Sequence, residues 1–188
     1  MIGRNARIVG IDDGPFARRA RAPVTVAGVL IRGAGRVDGV VTTRVVRDGF
    51  GATEAIARML STGRLAGQAQ AVLLDGVAVG GFNVIDLPSL SSKLRVPVIA
   101  VMRRSPDLQA VRRAIGRCTQ PERRWRIVQA AGAIHDADSL LFQVAGATAA
   151  EARRILEISI GEAQYPEALR LAHLIAGALV TGTSRGRP

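Results

Sequence analysis

The spacing of apolar positions changes character part-way along the chain. Three β-like runs come first, RIVGID ending at Asp12, VTVAGVLI from Val24 and VDGVVTTRVV from Val37. The Gly, Pro and Arg segments between them are too short to hold a crossover helix, so the runs predict an antiparallel meander. From Ala52 the period lengthens: Ala55, Ile56, Met59 and Leu60 of ATEAIARML share one helical face. The apolar run AVLLD ending at Asp75 then reads as a buried strand, Leu87 to Lys93 as a short helix, and PVIAVM from Pro97 as a second buried strand. Pro106 and Pro121 stand where two Arg-rich helices begin, and SLLFQVA from Ser139 adds an edge strand. Thr148 with Glu151 forms a capping box ahead of AEARRILEISI. A last helix starts at Pro166, carries Leu169, Ala172, Leu174, Ile175 and Leu179, and stops at Gly182.

A meander followed by alternating strands and helices predicts an α/β fold, with a mixed sheet, the first strand central and helices on both faces. The 188 residues contain no internal repeat and no long linker. One domain over residues 1–188 is expected, with 183–188 as a flexible tail.

Composition narrows the partners. No run reaches the roughly 20 apolar residues of a membrane-spanning helix, and MIGRNARIVGIDDG has no apolar block of signal-peptide length. Cys118 is the one cysteine, which rules out an intramolecular disulfide; a cytoplasmic protein with no membrane partner is the expectation. A net charge of +11 attracts polyanions, and nucleic acid is the natural partner. Lys93 is, however, the one lysine among 26 basic residues, a bias that a G+C-rich genome produces as readily as phosphate binding does. Function has to rest on a site.

Two aspartates carry the candidate chemistry. Asp12 in GIDDG and Asp75 in LLDGV both end apolar strands close to a glycine. On parallel neighbouring strands their carboxylates would share the rim where open α/β sheets bind ligands. Carboxylates held together there repel unless a hard cation joins them, which points to Mg²⁺, with Mn²⁺ as its substitute. Taken singly, each Asp-Gly step is also an ordinary turn. Glu54 sits near the start of its helix, where the dipole stabilises an anion, and His173 shares a polar stripe with Glu167 and Arg170, where hydrogen-bonded buried histidines are common. These positions gain weight only as a set. Asp13, Asp48 and Asp86 are further acidic candidates without a rank among them. His135, Asp136 and Asp138 have metal-ligand composition but read as turn residues in a polar connection. Arg112, Arg113, Arg117, Arg123, Arg124 and Arg126 surround Trp125. That pattern fits either a grip on a nucleic-acid strand by phosphate contacts and stacking, or two solvated helix faces around a buried Trp.

Several separated blocks resemble one family. GIDDGPF, DGFGATEAI, LLDGVAVGGFNVID, VPVIAVMRR and PEALRLAHLIAGAL through TSRGR resemble the archaeal endonuclease V-like proteins over nearly the whole chain, and these are similar to endonuclease V. The resemblance implies a ribonuclease H-like fold and a magnesium-dependent endonuclease, a hydrolase of DNA or RNA phosphodiesters near deaminated bases such as inosine, as in DNA repair. It also implies site residues. The first-strand catalytic aspartate falls on Asp12, the helix glutamate on Glu54 and the aspartate of a Val-Asp-Gly block on Asp75, together the metal ligands. The late Pro-Glu-x-x-Arg-x-Ala block puts His173 at the fourth catalytic position, to orient water or a ligand. A lysine of endonuclease V falls on Arg103, which keeps a phosphate contact but not a titrating acid. Two differences stand out. Nothing between Arg32 and Glu54 resembles the Pro-Tyr-Ile-Pro wedge that separates bases. GGFN occupies the place of a histidine, making Gly80, Gly81 and Asn83 candidate nucleic-acid contacts, with a tight turn as the simpler reading. The alternative function is a nucleic-acid-binding module that kept the fold and lost catalysis with the wedge.

Overall fold

The computed structural model describes residues 2–17, 23–33 and 35–184; residues 185–188 of the expected tail lie outside them. Strands β1 (Arg7–Asp13), β2 (Val24–Arg32) and β3 (Arg36–Val45) form the antiparallel meander. After helix α1 (Ala52–Ser61), β4 (Ala71–Asp75) pairs parallel with β1, and β7 (Val98–Met102) pairs parallel with β4. Between β4 and β7 lie a small hairpin, β5 (Ala78–Val79) and β6 (Asn83–Val84), and helix α2 (Leu87–Leu94). Helices α3 (Leu108–Ile115) and α4 (Pro121–Ala130), strands β8 (His135–Ala137) and β9 (Leu140–Ala145), and helices α5 (Ala149–Ser159) and α6 (Glu167–Thr181) follow. The seven-stranded sheet runs β3-β2-β1-β4-β7-β9-β8.

β1, β4 and β7 read as continuous apolar runs because both of their faces are covered. On one face Ile56, Met59 and Leu60 of α1 and Leu87 and Leu90 of α2 lie over Val9, Ile11, Val72, Leu74, Val98 and Ala100. On the other, Ile155 and Leu156 of α5 and Leu169 of α6 cover Ile8, Leu73, Ile99, Val101 and Phe142. The strand residues alternate between the two clusters with the period of two that strand geometry demands. SLLFQVA is not the edge: β9 pairs antiparallel with β7 on one side and with β8 on the other. A strand as short as His135–Ala137 carries too little alternation to be read from sequence.

Local signals set the helix ends. Asp86 caps α2 by accepting the Ser89 amide at 2.9 Å, Thr148 and Glu151 make both bonds of the capping box, and Gly182 closes α6 in the left-handed conformation. The face that α6 buries differs from the one its large residues suggest. Ala168, Leu169, Ala172 and Ala176 are buried, whereas Leu179 is 57% exposed. The reason is close approach: a Cβ on Gly10 would sit 2.2 Å from the Ala168 carbonyl carbon, and one on Gly14 would sit 2.5 Å from the Ala176 oxygen. Small residues on both partners let helix and strand nearly touch.

Gly10→Ala must therefore push backbone against backbone. Urea denaturation should show a loss of about 2 kcal/mol or more, the cost of overpacking a site that has no flexible side chain to yield. A loss below about 0.5 kcal/mol would mean that α6 slides freely over β1.

Candidate active site

In the parallel register Ile11 lies opposite Leu74, so the next residues, Asp12 and Asp75, emerge at the same rim of the sheet. Asp12 is buried and Asp75 exposed. The Asp12 carboxylate is fully engaged: Oδ1 accepts the Asp13 amide at 2.8 Å, and Oδ2 meets Nδ1 of His173 at 2.8 Å. Burial, and after it the charge of Asp75, push the Asp12 carboxyl up to about 6, against the opposing pull of the His173 and Asp13 bonds. Asp13 is also raised, mainly by burial, with Asp75 adding to it; the Gly80 amide, donating to Asp13 Oδ2 at 3.2 Å, works the other way.

Asp75 has a partner that no motif marks. Tyr165, buried just before α6, donates its hydroxyl to Asp75 Oδ1 at 3.1 Å. Burial and the Asp75 charge raise the Tyr165 pKa, so the hydroxyl stays protonated and keeps donating. The Arg103 guanidinium lies 4.0 Å from the centre of the Tyr165 ring, a cation–π contact that parks an exposed positive charge beside this acidic rim. Tyr165 escapes sequence reading because the chain brings it there by turning back through the Ile160–Pro166 bridge.

The structure brings Asp12, Asp75, His173 and Arg103 together and leaves Glu54 apart. The Glu54 side chain is 62% exposed, with Oε1 3.0 Å from Lys93 Nζ. Among the described residues no three His, Cys, Asp or Glu side chains converge closely enough to hold a metal ion. Gly80 and Gly81 form the β5–β6 turn at positive φ. The Gly80 oxygen accepts the Asp48 amide at 2.9 Å, and Asp48 Oδ1 accepts the Phe82 amide at 2.8 Å. A Cβ on Gly81 would sit 2.4 Å from that same Asp48 oxygen, so the turn needs glycine there. Asn83 is fully buried: its Oδ1 accepts the Ala52 amide at the start of α1, and its Nδ2 donates to Val46.

Behind this turn lies Arg124, buried with no carboxylate partner among the described residues. Its guanidinium donates to the carbonyls of Thr119, Gly49, Phe82 and Asp48 and stacks on Phe50 at 4.0 Å. One side chain thus ties α4 to the β3–α1 and β5–β6 loops. Trp125 is half-buried with Arg112 5.4 Å from its ring centre. His135 lies 5.3 Å from the Phe142 ring on the outermost strand, far along the sheet order from β1 and β4. A larger cavity of about 790 Å³, lined by Ala69, Val96, Pro97 and Gly146, adjoins the opposite ends of the parallel strands and contains none of these residues.

Residues 4–180 match the family model described as endonuclease dU. The chain belongs to the endonuclease dU family. A UPF0215 protein of Methanothermobacter thermautotrophicus is 42% identical over 190 residues, covering 99% of this chain and 93% of the relative. A crystal structure from Archaeoglobus fulgidus superposes with a TM-score of 0.88 at 33% identity, over 94% of this chain and 99% of the other. Endonuclease V of Ciona intestinalis, in complex with a 24mer DNA containing an inosine followed by a ribo-adenosine, superposes with a TM-score of 0.57 at 13% identity, over 89% and 82%. At that identity the likeness is one of fold, and it agrees with the mixed sheet expected from the resemblance to endonuclease V. No described helix of this endonuclease dU family member is long and apolar enough to cross a membrane.

The electrostatics of the rim set a pH dependence. A carboxyl whose pKa is higher in the folded than in the unfolded chain favours folding when protonated, so metal-free stability should fall as pH rises from about 4 to 6 and stay lower above that. Asp75→Asn removes the repelling charge yet keeps an oxygen for Tyr165. Thermal melts in EDTA should then show a melting temperature at pH 7 raised by a few degrees and a shallower fall between pH 4 and 7. A variant profile that overlays the wild type would show that the two carboxylates do not interact.

Proposed function

We propose that this protein is a metal-dependent endonuclease that hydrolyses phosphodiesters in strands carrying a deaminated base. The observation that supports this most is the pair of carboxylates crowded at one rim, Asp12 raised in pKa partly by Asp75, with a histidine and an exposed arginine alongside. Such a donor set fits a hard divalent cation, because the ion relieves the repulsion that the bare site carries. Asp12 and Asp75 would hold Mg²⁺, or Mn²⁺ in its place. Glu54, the third ligand implied by the resemblance, would have to leave Lys93 to join them; Asp13, which already feels the Asp75 charge, is nearer at hand. The ion would supply an ionised water and neutralise charge on a phosphoryl oxygen.

The protein's own groups do the rest. His173 is held by Asp12 through Nδ1, and among the described residues its Nε2 has no partner, which suits it to orient a water or a phosphate oxygen. Arg103 offers the rim a positive charge for the strand, and Tyr165 fixes the rotamer of Asp75. The family description names dU, and the Ciona intestinalis complex carries inosine. Both bases arise by hydrolytic deamination, so a lesion of that class, in DNA or RNA, is the substrate proposed, with DNA repair as the setting and nucleic acid as the partner.

Oligonucleotides carrying one deoxyuridine or one inosine should be nicked in Mg²⁺ or Mn²⁺. Asp75→Asn should lower the rate at least about a hundredfold, the scale of a few kcal/mol of lost charge stabilisation, and should remove most of the rise in melting temperature that Mn²⁺ gives the wild type. The net charge of +11 fits a second reading as well, a binding module without turnover. That module would bind strands tightly with a log–log salt slope of about 0.9 per phosphate neutralised on duplex DNA and cleave none with either metal.

A further inference from the structure

A half-open pocket of about 410 Å³ lies directly beside the Asp12–His173 pair, lined among the described residues by Asp13, Gly14, Phe16, His173, Gly177 and Thr181. The segment that follows β1 makes one wall. Phe16 is 37% exposed there, and Arg47 Nη1 donates to the Ala17 carbonyl at 3.2 Å, which ties that segment to the chain just beyond β3. Helix α6 makes the opposite wall, with Gly177 facing open space: a Cβ built on it would meet nothing within 4 Å. The contrast with Gly14 is informative, because Gly14 is demanded by contact with the Ala176 oxygen. Glycine inside a helix is less stable than alanine by up to about 1 kcal/mol, and among the described residues no packing contact requires it at position 177. A glycine there leaves that side of the pocket open.

We propose that this pocket receives one nucleobase of the bound strand, next to the phosphate that the Asp12–Asp75 rim engages. This rests on the endonuclease reading above. Of the parts of a nucleotide, the phosphate is disfavoured by the Asp13 carboxylate. The sugar has no flat face to set against a ring. The base has two apolar faces, which match Phe16, and a polar edge, which Asp13 and His173 can meet. Stacking on an aromatic side chain accepts any base, so the pocket supplies affinity and register rather than lesion identity. A base taken out of a stack loses a few kcal/mol of stacking and pairing, so single-stranded and mismatched positions enter most readily.

The test compares oligothymidylate with the abasic oligodeoxyribose phosphate of the same length, both fluorescein-labelled and read by anisotropy in Ca²⁺ and again in EDTA. The wild type should bind the base-bearing strand about tenfold more tightly, within the range of one stacked base. Gly177→Leu, which fills the pocket while improving helix propensity, should melt no lower than the wild type and lose most of that preference. Phe16→Ala, at an exposed position, should lose it as well and decides the matter if Gly177→Leu fails to fold. Equal binding of the two strands by the wild type, or variants that keep the full preference, would overturn the pocket. Cleavage of lesion strands without any preference for bases overturns the pocket alone. A preference for bases without cleavage in either metal overturns the nuclease reading and leaves the pocket standing.

Discussion

The rim depends on how closely α6 lies on β1. Gly10 and Gly14 have no side chain to hold the helix off, and Ala168, Ala172 and Ala176 keep the facing stripe thin. Because of that approach His173, partway along α6, reaches Asp12 at the end of β1, and Tyr165, just before α6, reaches Asp75 at the end of β4. One helix therefore positions a partner for each carboxylate. The same helix supplies Gly177 to the neighbouring pocket. A bulkier contact at Gly10 would lift all three at once, which makes a packing residue with no chemistry of its own the position on which the chemistry stands.

Behind the rim the protein handles charge in the reverse sense. Arg124 is buried with four backbone carbonyls and an aromatic ring around it rather than a carboxylate. A buried cation is tolerable when every donor is satisfied, and neutral acceptors do this without drawing an acid away from the rim. The loops that it clamps carry a chain of hydrogen bonds from Phe82 through Asp48 and Gly80 to Asp13. A strongly basic protein thus buries a guanidinium on neutral acceptors, while Asp12, Asp13 and Asp75 gather at the rim.

What could be read from sequence and what could not divide along one physical line. Asp12 and Asp75 were legible because a strand-end position follows from an apolar run, and the parallel pairing of two such runs follows from fold class. The capping box at Thr148 and the glycine stop at Gly182 are equally local. Tyr165, Arg124 and the Lys93 partner of Glu54 depend on segments distant in sequence meeting in space, and no period or spacing encodes that. The face of α6 misled for a related reason. Of Leu169, Ala172, Leu174, Ile175 and Leu179, the first two are buried and Leu179 is exposed, because the contact selects for smallness, which a hydrophobic count scores low.

The two carboxylates are unequal, and the inequality would suit the cation site proposed for them. Asp12 is buried and bonded at both oxygens, and its pKa is raised first by that burial and then by the charge of Asp75. Asp75 faces solvent, where an ion would meet it first. A free aspartate would lose rotamer freedom on binding, but the Tyr165 hydroxyl already restricts Asp75, so less entropy remains to be lost when the ion arrives. Burial and a neighbouring carboxylate at Asp12 make the bare rim less stable, whereas the order imposed in advance on Asp75 lowers the entropy that occupation would cost, so both would favour the occupied rim.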